Sequence, residues 1–138
     1  MIRRYALAWL GAAVVFAGLD AIWLTATNAS LYRPALHAVL MDGVRPVPAV
    51  LFYVVYLTGV TIFAVAPALR EQKWTAAARM GALFGFFAYA TYDLTNQATL
   101  AVWSTKITVL DLCWGSFVSA AGATAGYFAG KWTARSKA

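Results

Sequence analysis

The chain has 138 residues, 62% hydrophobic and only 12% charged, with a mean hydropathy of +0.68. A soluble domain carries roughly 25% charged residues, so this composition excludes an ordinary soluble protein and points to a polytopic membrane protein. The net charge of +6 does not indicate a nucleic-acid partner, because eight of the eleven basic residues fall in three places. They are Arg3 and Arg4, then Arg70, Lys73 and Arg79, then Lys131, Arg135 and Lys137: the termini and one loop, as a positive-inside bias gives.

The first apolar run extends from about Tyr5 to Thr27 behind Arg3 and Arg4. It exceeds the ~7–15 apolar residues of a signal peptide, contains Asp20 and lacks a good cleavage site, so it reads as a retained helix with a cytoplasmic N-terminus. Asn28 to Pro48 is the longest polar connection. Leu36, Val39 and Leu40 share a helical face there, which predicts a short amphipathic helix on the outer membrane surface, closed at Asp42-Gly43.

The second span, from about Ala49 to Leu69, carries no charge. Its polar handles are Tyr53, Tyr56, Thr58 and Thr61, and Pro67 stands in its last turn. A basic loop follows, with Thr75 as the expected N-cap of the next helix. That third helix covers about Ala76 to Leu100, and its second half (Tyr89, Thr91, Tyr92, Asp93, Thr95, Asn96 and Gln97) reads as too polar to face lipid. The fourth begins near Thr108 and ends near Lys131. In it Gly115, Ser119, Gly122 and Gly126 form a stripe of small residues suited to close helix packing. Packing within the chain and assembly with another copy both use such a stripe.

Asp20, Asp93 and Asp111 fall inside apolar runs, whereas Asp42 and Glu71 sit in loops. Counting residues at 1.5 Å rise puts Asp20 and Asp93 roughly 10 Å below the outer boundary, and Asp111 roughly 5 Å below it. Three carboxyl groups from three helices thus share one layer, where an unpaired charge costs at least ~2.5 kcal/mol. Asp93 shares a helix face with Tyr89 and Asn96, and Tyr92 adjoins it. Asp-x-x-Trp occurs twice, as Asp20 to Trp23 and Asp111 to Trp114, so indoles stand beside two of the carboxyls.

Each residue also has a structural explanation. Thr108-x-x-Asp111 fits a capping box, which would make Asp111 a helix cap. Lys106, Arg45 or Arg33 could supply ion pairs, Trp23 and Trp114 could be interface aromatics, and His37 could be a surface residue. No Ser/His/Asp order, GxSxG, HExxH or CxxC is present, and Cys113 is the single cysteine. No metal is assigned and no cofactor is expected; oxygen ligands of this kind suit a proton or a hard cation.

Tyr92-Asp93-Leu94-Thr95-Asn96, Ala98-Thr99-Leu100, Trp103, Asp111-x-x-Trp114-Gly115 and, in the first span, Asp20-x-x-Trp23-Leu24 together form a specific pattern. With it the chain resembles the small bacterial inner-membrane proteins grouped as domain of unknown function 2177. The resemblance implies four transmembrane helices and carries no activity with it.

The expectation is an all-α membrane protein. Residues 1–138 form a single four-transmembrane-helix bundle in the bacterial inner membrane, with both termini cytoplasmic and spans at about 5–27, 49–69, 76–100 and 108–130. Asp20, Asp93, Asn96 and Asp111 are the candidate ligand residues and Trp23, Tyr89, Tyr92 and Trp114 the candidate lining. The site would bind a proton, a cation or a small polar or cationic molecule, in transport or binding. A structural subunit joined to its own or other chains through the glycine stripe, and an embedded enzyme acting on a lipid or quinone, are the alternatives.

Overall fold

The computed structural model describes residues 2–135 and is helical, with no strand among the described residues. Lys137, part of the terminal basic cluster, lies outside them. Helix α1 is Ile2–Leu36, α-helical to Thr27, with a π-turn at Asn28–Tyr32 before Arg33–Leu36. Helix α2 is Pro46–Glu71, with a π-turn at Thr61–Val65. Helices α3 and α4 are Trp74–Thr99 and Thr105–Arg135. Among the described residues, Ile2–Leu36, Pro46–Glu71 and Thr105–Trp132 are long and apolar enough to cross a membrane. Helix α3 is of similar length and more polar.

Both π-turns have the same local cause. Each ends just before a proline, Pro34 or Pro67, which lacks an N–H and crowds the carbonyl four residues back. Opening the helix by one residue relieves that clash without breaking it.

Several boundaries differ from the sequence expectation. Nothing stops α1 at Thr27, whose hydroxyl donates to the Trp23 carbonyl (2.6 Å) instead of capping. The residues expected to form a separate surface helix therefore begin as a continuation of α1, with Leu36 buried and Val39 and Leu40 exposed. Helix α3 starts at Trp74 behind an uncapping Lys73, so Thr75 lies inside it. The reversal before it is made by Gln72, at φ 57°, whose side-chain amide donates to the Leu69 carbonyl (2.6 Å).

Helix α4 is the centre of the bundle, packed antiparallel against α1 on one side and α3 on the other. Small residues permit this. A Cβ at Gly81 would stand 2.6 Å from the Ser119 carbonyl oxygen, and one at Gly126 2.8 Å from that of Ala8. Gly115, Ser119, Gly122 and Gly126 are all buried, so the stripe faces inward on α1 and α3. Helix α2 joins the core through its second half, where Ala64, Val65, Ala68 and Leu69 are fully buried. Its first half, Pro46–Val60, stands away from α3 and meets it through rings: Tyr56 lies 5.3 Å from Phe84 and 6.3 Å from Tyr89.

Val14, Ile22, Val55, Ile62, Phe63, Phe87, Phe117 and Phe128 are all more than half exposed, leaving an apolar exterior. Hydroxyl groups on that exterior are satisfied locally. Thr91 and Thr99 donate to carbonyls four residues back, at 2.8 Å each. The second half of α3 is thus less inward-facing than its composition suggests: Thr91, Tyr92 and Thr95 are exposed, while Asp93 is buried. Back-bonded hydroxyls can face lipid because they leave no open hydrogen bond.

Candidate functional site

The turn between α3 and α4 sets the positions of two carboxyls. Asp93 lies six residues before Thr99 and Asp111 six residues after Thr105, on antiparallel helices. They therefore stand at equal distances from the turn that joins the two helices. This replaces the unequal depths counted from the sequence, because α4 begins three residues earlier than expected. The same shift removes the capping role of Asp111, which lies in the second turn. Thr108 donates instead to the Gln97 side chain (2.8 Å), tying α4 to α3.

Asp111 accepts a hydrogen bond from the Tyr32 hydroxyl, and Tyr32 in turn accepts one from the Trp23 indole at 3.0 Å. Asp20 accepts from the Tyr53 hydroxyl at 2.5 Å and from the Trp114 indole at 3.4 Å. The two Asp-x-x-Trp pairs are thus crossed. The indole of α4 serves the aspartate of α1, and the indole of α1 reaches the aspartate of α4 through Tyr32. Between them the two rings stack, centroids 4.5 Å apart and planes 9° from parallel.

Asp93 is the exception. It is fully buried (0% exposed), and neither carboxyl oxygen has a hydrogen-bond donor. Asp20 and Asp111 are nearly as buried, at 7% and 6% exposure. No Lys, Arg or His among the described residues forms an ion pair with any of the three; Arg33 pairs with exposed Asp42 at 3.8 Å, and Lys106, Arg45 and His37 are exposed. Nor do the described residues hold three or more His, Cys, Asp or Glu side chains grouped to bind a metal ion.

Tyr89, one turn before Asp93, lies over Gly115, where a Cβ would overlap its ring. Tyr92 turns outward against Trp103, ring centroids 5.8 Å apart, and Asn96 is half-buried one turn further along. The structure therefore gathers Asp20, Asp93, Asp111, Trp23, Trp114 and Tyr89, and leaves Tyr92 and Asn96 at the edge.

Tyr32 and Tyr53 belong to the cluster and were not among the expected site residues. Tyr53 was visible as a polar side chain in an uncharged helix. Tyr32 was hidden by geometry: nine residues of regular α-helix carry a side chain to the opposite face from Trp23, and the π-turn brings it back.

A family model described as a predicted membrane protein, DUF2177, matches residues 5–128. The chain belongs to that family. The matched stretch holds every carboxyl, indole and phenol of the DUF2177 cluster described above. No curated protein and no solved structure matches the chain.

Proposed function

We propose that this DUF2177 protein binds a proton, a cation or a small cationic molecule at Asp20, Asp93 and Asp111, as a transport or binding protein. The observation that carries this reading is Asp93, a fully buried carboxyl neither of whose oxygens has a hydrogen-bond partner among the described residues. A buried negative charge must be protonated, paired or hydrogen-bonded. The described residues provide none of these partners for Asp93, so a proton or a cation from outside completes the site.

The same reading places the chain in the bacterial inner membrane as one four-span domain with both termini cytoplasmic. Helix α3 is the fourth span, because it packs along α4, which is apolar enough to cross, and buries Asp93 while its exposed Arg79 lies near its basic end. The carboxyl layer then lies toward the outer face. Burial of the α4 stripe within the chain weighs against assembly through it.

The test is thermal melting of the detergent-solubilised protein against pH and added cations, compared with Asp93→Asn. An occupant that binds only the folded state raises its stability. The parent should melt higher as the site fills, and Asp93→Asn should not respond. A parent that responds to neither proton nor cation contradicts the reading.

A further inference from the structure

Beside the carboxyl cluster, where the first half of α2 stands away from α3, a cavity of about 450 Å³ opens to the apolar exterior. It is lined by Phe52 and Tyr56 of α2 and by Ala88, Tyr89 and Tyr92 of α3. The volume is within the range of about 300–1,000 Å³ usual for small-molecule sites. Its wall is mostly aromatic. Behind it, Tyr56 is held by Ser119 (2.7 Å), and Tyr89 is shared between the cavity and the carboxyl cluster.

An apolar occupant would need only the rings, and an inorganic ion only the carboxyls. The two features meet at Tyr89, one helical turn from the donor-less Asp93. We infer that the cavity admits a lipophilic organic cation from the membrane side, its apolar groups among the rings and its charge drawn to Asp93 and its neighbours. Ring faces attract cations, more strongly when both are out of water. Charge complementarity selects the occupant: no basic side chain lines the cavity, and the carboxyl without a partner, Asp93, is an acid on the helix that forms its wall. The inference rests on the carboxyl site proposed above and names its substrate class.

The probe is tetraphenylphosphonium, with tetraphenylborate as a control of like shape and opposite charge. Binding is measured by equilibrium dialysis against the detergent-solubilised parent, Asp93→Asn and Ala88→Phe, which fills the cavity with a ring. Saturable binding of the phosphonium, at least tenfold weaker in both variants and absent for the borate, is the expected result. Equal uptake of both ions, or phosphonium binding indifferent to Asp93→Asn, overturns the inference, as does finding the cavity occupied by an acyl chain that the phosphonium does not displace. Melting curves of the variants establish that they are folded. If the parent ignores the phosphonium while its melting still follows pH or a small cation through Asp93, the lipophilic substrate class fails and the carboxyl site stands. If neither response is seen, both fail.

Discussion

The two ends of the bundle hold together in different ways. At the basic end, α1, α3 and α4 meet through Gly81, Gly122, Gly126, Ala8 and Ala12, with backbone carbonyls and small side chains lying directly against the glycines. At the aspartate end these helices and α2 are joined by side chains: Tyr32 to Asp111, Tyr53 of α2 and Trp114 to Asp20, Gln97 to Thr105 and Thr108. Hydrogen bonds between long side chains leave space and can be rearranged.

Four substitutions probe this contrast. Gly85 lies where the packed region gives way to the polar one, and a Cβ there would overlap the Gly115 carbonyl oxygen and crowd the Ser119 hydroxyl. Gly85→Val should cost about 3 kcal/mol or more, because backbone must move, and should be seen as loss of a monodisperse species in detergent. A variant that melts with the parent would show that close approach is not what holds the helices.

Tyr32→Phe removes the hydroxyl donor to Asp111 and should cost about 1–3 kcal/mol, the range for a buried acceptor left unsatisfied. Tyr53→Phe should cost less, about 1 kcal/mol, since Asp20 keeps the Trp114 indole. Chemical unfolding of the two variants side by side checks the order, and a larger loss for Tyr53→Phe would reverse the roles assigned to the two carboxyls. Gly122→Ala should be close to neutral in the same assay, its added methyl meeting Ala12 and Phe16 at an ordinary 3.4 Å. A loss like that of Gly85→Val would mean that the whole stripe, rather than its tight points, sets stability.

Much of this was legible in the sequence, and the reasons are physical. Apolar length and the scarcity of charge made the helices readable, and Asp20, Asp93 and Asp111 stood out because apolar runs rarely contain carboxylates. The doubled Asp-x-x-Trp pattern announced a relation between α1 and α4. Its crossed pairing could not be read, because it depends on which way each indole points. The position of Asp111 turned on where α4 begins, and Thr105 and Thr108 are equally plausible starts until Gln97 is seen to bond both. Tyr32 was out of reach because a π-turn changes the angular count that sequence patterns rely on.

The central claim is that Asp93 is completed by an occupant the chain does not supply. The most direct measurement is an infrared difference spectrum of the solubilised protein between conditions that fill and empty the site, taken at varied pH and with each added cation. The account predicts a carboxyl signal, from a proton gained or from a carboxylate meeting a cation, that vanishes in Asp93→Asn. Spectra in which parent and variant coincide under every condition would contradict it.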